Sequence, residues 1–317
     1  MTSASTGLLE EWLKKVEADA TQALQNMEPK EKAKQITESM KKSLQEEWEK
    51  LRARLKVGES LEIKDICSKD KTWSGINLGP TGMYKVDLCK GVVELRYFTA
   101  GLKKKDESTR QTEVENSITE TQWYPRCLVG AVALSEIYGD HCQLKEIVDE
   151  ISREVEEKLR THWSNDGTVI KKCEGKVDGT TLMLAKALLH DQIEQWTREN
   201  RKPGSANAWR VRMPWHYWQT VCKQGALASK SEHERKKHYL QENKDTVGSF
   251  LNIGSGSDRA QLMEELIKEE DILTFDDLQT VLEKSMSNGA GGTATPLDFS
   301  TIMKNLEGIV EKNKGKS

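Results

Sequence analysis

Apolar residues return at alternating steps of four and three along the first part of the chain: Leu9, Leu13, Val16, Ala20, Ala23 and Met27. This spacing draws one seam down a helix, as in a coiled coil. Pro29 interrupts it, because its ring and missing N–H disrupt a helix interior. A second helix is predicted from about Pro29 to Lys56, with Ile36, Met40, Leu44, Trp48, Leu51 and Leu55 on one face and Glu and Lys on the others. Gly58 stops it. Such a stripe must be buried against something. Two partners satisfy it equally, the same chain folded back or a second copy, and no polar or charged pattern fixes an oligomer number.

The period then changes. Gly75, Gly79, Pro80 and Gly82 mark turns. Tyr84, Val86 and Leu88 alternate, as do Val93, Leu95 and Tyr97, with Lys90-Gly91 between them, which predicts a β-hairpin. Residues 101–117 form a polar connector. From Trp123 to Trp196 the helical period returns. Leu144, Ile147, Val148, Ile151, Val155 and Leu159 form one stripe, and Leu182, Leu184, Leu188, Leu189, Ile193 and Trp196 another. A short hairpin is expected near Val169, Ile170 and Val177. Glu232–Asn243 is a charged helical stretch, and Gly254–Ser257 a loop. Asp258 and Thr274 are N-caps for two helices in an acidic lobe. Ser287–Thr295 reads as a Gly-rich hinge before a last helix bearing Ile302, Met303, Leu306, Ile309 and Val310.

The fold class that follows is mainly α: a helical bundle body with a small β-hairpin element, an N-terminal helical arm and a hinged C-terminal helix. Five segments are expected. Residues 1–57 are the coiled-coil-like arm and 58–117 a β-containing segment with its connector. Residues 118–253 are the helical body, 254–287 the acidic lobe, and 288–317 the hinge, helix and tail.

Composition sharpens this without changing it. Of 317 residues, 36% are hydrophobic and 31% charged, with nine Trp. Mean hydropathy is −0.69. That is polar but not disordered. Residues 1–20 hold no apolar run, and the longest mainly apolar run is Leu128–Leu134, so neither a signal peptide nor a membrane partner is expected. The six cysteines are scattered, with no CxxC, and are expected to be reduced thiols in a cytoplasmic protein.

Candidate chemistry is sparse. His141, His162, His190, His216, His233 and His238 lack metal-ligand spacing, and there is no HExxH. Gly315-Lys316-Ser317 resembles the end of a P-loop but has Val310 where the upstream glycine should stand. GxSxG is absent. No metal, no cofactor and no catalytic residue are expected.

One segment stands out, residues 207–219, NAWRVRMPWHYWQ. Around it, from Trp196 to Tyr239, ten Lys and Arg face three acids, although the whole chain carries −3. Arg198, Arg201, Lys202, Arg210, Arg212, Lys223, Arg235, Lys236 and Lys237 are the candidate phosphate-facing set. The aromatics serve equally as stacking platforms for single-stranded RNA, as an interface, or as core. Trp215 and Trp218 fit packing better, and Arg210 and Arg212 a ligand-facing strip. Leu9, Leu13, Val16, Ile36, Met40, Leu44, Trp48, Ile302, Leu306 and Ile309 are the candidate self-association set. The function expected is that of a self-associating, non-enzymatic RNA-binding structural protein, nucleocapsid-like or of a viral replication compartment. A helical adaptor that binds proteins through the arm competes with it, and an enzyme with a non-obvious site is a third reading.

Overall fold

A computed structural model of the chain describes residues 10–18, 27–56, 60–68, 71–73, 79–105, 111–116, 118–164, 172–173, 177, 179–202, 208–250, 273–287 and 299–314. Its helices are α1 (10–18), α2 (Pro29–Lys56), α3 (Leu61–Ser68), α4 (Pro80–Thr99), α5 (Glu120–Tyr138), α6 (Leu144–His162), α7 (Gly179–Arg201), α8 (Trp209–Val221), α9 (Glu232–Phe250), α10 (Phe275–Ser287) and α11 (Phe299–Lys314). Two short strands, β1 (Leu102–Lys104) and β2 (Thr112–Val114), pair antiparallel with Leu102 opposite Val114. The protein is mainly α with a small β-hairpin, as the sequence predicts.

The stripe of α2 is covered by the chain itself. Ile36, Met40, Leu44, Trp48, Leu51 and Leu55 are all buried, against α5, α7 and α10 among others. Trp48 meets Trp196 of α7 edge to face at 5.2 Å, a favourable aromatic arrangement. The seam of α1 is covered too. Trp12, Leu13 and Val16 are buried, Trp12 Nε1 donates to Ser43 Oγ at 3.2 Å, and the Trp12 ring lies 5.8 Å from Tyr124 of α5. Ile302 and Leu306 of α11 are buried and Ile309 packs against the same core; α11 rests on α10 and α7. Of the two partners the sequence allows for these seams, the described residues use the first: the side chains assigned to self-association are covered within one chain. Leu9, the loop over Gly254–Ser257, Asp258, Val169, Ile170 and most of the Gly-rich run lie outside the described residues.

The hairpin expected over residues 84–97 is corrected. These residues are the middle of α4, and the hairpin sits further on, in what reads as a polar connector. Pro80 at the start of α4 is a helix-initiating proline following the Gly79 cap. Nearly every residue from Tyr84 to Thr99 is buried. A helix buried on all sides has no polar face, so its apolar positions do not select period 3.6 over period two.

Two glycines let α4 and α5 approach. A Cβ at Gly91 would lie 2.2 Å from Tyr138 Oη, and one at Gly130 would lie 2.3 Å from Thr99 Cγ2. The paired numbers run in opposite directions, so the two helices are antiparallel. Buried charge links the same layer. Arg126 bridges Glu47 and Glu115 at 2.8 Å each and lies over the Phe98 ring. Arg54 pairs with Glu94 at 3.0 Å and donates to Leu102 O, tying α2 to α4 and the hairpin.

The expectation of reduced thiols is also corrected. Cys67–Cys89 joins α3 to α4, Cys127–Cys173 ties α5 to the segment before α7, and Cys142–Cys222 ties the α5–α6 turn to the end of α8. No cysteine is free. The Cα separations of 5.7, 5.5 and 5.5 Å suit disulfides. The partners are 22, 46 and 80 residues apart, which is why they look scattered in sequence.

Gly91→Ala is expected to cost about 1–3 kcal/mol through overpacking, read as a lower midpoint in denaturant. Tyr138→Phe should not restore it, because two ring carbons would still lie 2.5 and 2.9 Å from the new methyl.

Candidate functional site

The turn from Gly139 to Cys142 joins α5 to α6. Carbonyls at a helix end have no partner within the helix and must find one elsewhere. Here three later elements supply them. Asn243 Nδ2 of α9 donates to Gly139 O and His141 O at 2.8 Å each. Trp218 Nε1 of α8 donates to Asp140 O at 2.8 Å. Arg201, at the end of α7, donates to Ile137 O at 2.7 Å and grips both oxygens of Asp140 at 2.8 Å. Such a planar two-point pair is the strong form of ion pair. The Cys142–Cys222 bridge closes the turn covalently.

Burial alone would raise the Asp140 carboxyl, but Arg201, helped by His141 and Lys236, outweighs it and holds the group below the usual carboxylate range. Burial pushes His141 the other way, down to about 3. Tyr84, kept protonated by its own burial, shares a hydrogen bond with His141 Nδ1 at 2.8 Å. His141 Nε2 lies 3.8 Å from Asp140 Oδ1.

Aromatic rings back this turn. Trp215 and Trp218 stack at 4.5 Å. The Arg201 guanidinium lies 4.0 Å and Lys236 Nζ 5.0 Å from the Trp215 ring centre, and Arg235 lies 5.2 Å from that of Trp218. Trp215 and Trp218 are packing, as expected of them. Arg210 is not on a ligand-facing strip: it is buried, and its carbonyl accepts from Tyr138 Oη at 3.0 Å. Arg235 is buried as well. Arg212 lies over the exposed Trp209 ring at 5.1 Å, and Lys223 is exposed beyond α8.

The other five candidates converge. Arg198, Arg201, Lys202, Lys236 and Lys237 line a groove of about 580 Å³ between α5, α7 and α9, floored by Trp215. That volume lies within the usual range of ligand pockets. Counting charge in sequence misses Lys186, His190, Thr197 and His233, which also line it. A signal for most of them exists. Lys186, His190, Glu194, Thr197 and Arg201 follow one another at helical steps, a polar stripe on α7 opposite its apolar one. Carboxylates line the groove too, and most are engaged. Asp140 holds Arg201, Glu232 holds Lys236 at 2.8 Å, and Glu136 lies 3.1 Å from His190. The Glu136 hydrogen bond raises the His190 pKa.

Arg201→Ala should cost about 3–5 kcal/mol, the usual penalty for leaving a buried charge unpaired, and Arg201→Lys should not restore the two-point grip. His141 sets an acid limit. The folded state keeps it neutral while the unfolded chain protonates it below about pH 6.5, so its contribution is lost as pH falls from 6.5 toward 3. His190 acts in the opposite sense. Its raised folded value contributes below the unfolded pKa and fades as pH rises through the folded one. Stability against pH should therefore slope less steeply between 6.5 and 4.5 in His141→Asn than in the parent, with His190→Ala as the control.

Compared with known proteins, residues 6–196 match the SICA extracellular alpha domain. No curated protein and no solved structure matches. The match overturns the cytoplasmic localisation expected from the sequence, and with it the RNA-binding, nucleocapsid-like, homo-oligomeric viral protein. The structure supplies the physical reason the charge argument misled. Arg210 and Arg235 are buried and Arg201 is held by Asp140, so part of the basic excess counted along the chain is spent inside the fold. Among the described residues, no helix is long and apolar enough to cross a membrane. The match covers well over half of the chain, and the protein belongs to the family of the SICA extracellular alpha domain.

Proposed function

We propose that this chain is an ectodomain unit of a surface antigen, a rigid helical body that displays and binds outside the cell and carries out no catalysis. The family is one of Plasmodium variant surface antigens. The observation that carries the reading is the use of all six cysteines in three bridges. Such bridges persist in oxidising, extracellular surroundings and are reduced in the cytosol. With loops of 22, 46 and 80 residues, the chain-entropy account gives about 3–4.5 kcal/mol for each. Stability of that kind suits a protein exposed to proteases and unaided by intracellular chaperones.

Alkylation of the native, unreduced protein followed by mass spectrometry tests this. No thiol should be modified until a reductant is added, and peptides should be recovered linked through 67–89, 127–173 and 142–222. Six alkylated thiols in protein taken directly from its source cells would overturn the reading.

A further inference from the structure

The groove between α5, α7 and α9 has donors that the fold itself does not use. Thr197 is 3% exposed and lines the groove, yet its hydroxyl has no hydrogen-bond partner among the described residues. Arg201 spends its two terminal nitrogens on Asp140 and Ile137 O, but its buried Nε has no partner there. A buried polar atom without a partner is costly and is normally satisfied. Both donors belong to the lining of one cavity. Around its rim, Arg198 and Lys237 are exposed and make no ion pair among the described residues. Of the four lining carboxylates, Asp140, Glu136 and Glu232 are occupied by Arg201, His190 and Lys236; Glu194 is the fourth, and against six lining Lys and Arg the groove stays cationic on balance. The Trp215 face is covered by Trp218 and Arg201, so the groove offers charge and hydrogen bonds rather than a bare stacking platform.

We infer that this groove is a binding site for a sulfated saccharide, one sulfate seated on Thr197 Oγ1 and Arg201 Nε and neighbouring sulfates held by Arg198 and Lys237. Choosing a saccharide among polyanions rests on the extracellular reading above. Planar guanidinium groups suit tetrahedral oxyanions, and ammonium groups add unspecific charge. The site spans the end of the family match. Lys186 and His190 lie inside residues 6–196, whereas Thr197, Arg198, Arg201 and Lys237 lie beyond it.

Titration calorimetry of the full, disulfide-intact chain with a heparin-derived hexasaccharide at 150 mM NaCl tests this, with inorganic sulfate and a single-stranded oligonucleotide of equal charge as comparators. The hexasaccharide should bind at least tenfold tighter than sulfate and tighter than the oligonucleotide. Arg198→Ala with Lys237→Ala should weaken it tenfold or more and flatten its salt dependence. Thr197→Val should weaken it severalfold with no fall in Tm, since the hydroxyl has no structural partner to lose. Equal affinity for sulfate, tighter binding of the oligonucleotide, or unchanged affinity in either variant overturns the proposal. A chain with three intact bridges that binds no saccharide sinks only this inference; alkylatable thiols in the native chain sink the surface reading whatever the saccharide does.

Discussion

The grip of Arg201 on Asp140 is the constraint around which the body is organised. It is a buried charge pair, and breaking such a pair is strongly destabilising. Around it, Trp218 of α8 and Asn243 of α9 donate to the backbone carbonyls of the same short turn. Four helices are thereby held to a common point, and the Cys142–Cys222 bridge fixes that point covalently. The remaining buried pairs, Arg126 with Glu47 and Glu115 and Arg54 with Glu94, do the same for α2, α4 and α5. Polar groups thus set the register of this fold, while the apolar stripes supply most of the driving force.

Helices with one wet face were readable from the chain. The stripe from Leu144 to Leu159 became α6, that from Leu182 to Trp196 became α7, and Thr274 caps α10 through its bond with Asp277 N at 3.2 Å. The α4 helix was not readable, because burial on every side erases the period that distinguishes helix from strand. The cysteines were misread because spacing alone carries no pairing information when partners lie 22 to 80 residues apart. Scattered cysteines and the lack of an apolar leader therefore do not establish a cytoplasmic compartment.

The site was half legible. A count of charge along residues 196–239 found Arg198, Arg201, Lys202, Lys236 and Lys237, which do share a groove. It could not tell a solvated arginine from a buried one, so Arg210 and Arg235 were included for the wrong reason. Thr197 carries no charge and no motif. Only its burial without a partner marks it, and burial is a property of the assembled helices.

The three bridges also have a topological consequence. The loop closed by Cys127 and Cys173 interleaves with that closed by Cys142 and Cys222. Any single peptide bond cut between residues 127 and 222 therefore lies inside at least one closed ring. A protease that nicks this stretch once separates nothing: the two pieces stay joined, and the helices around Asp140 keep their covalent tether. For the antigen proposed above, a single cut there leaves the molecule in one piece.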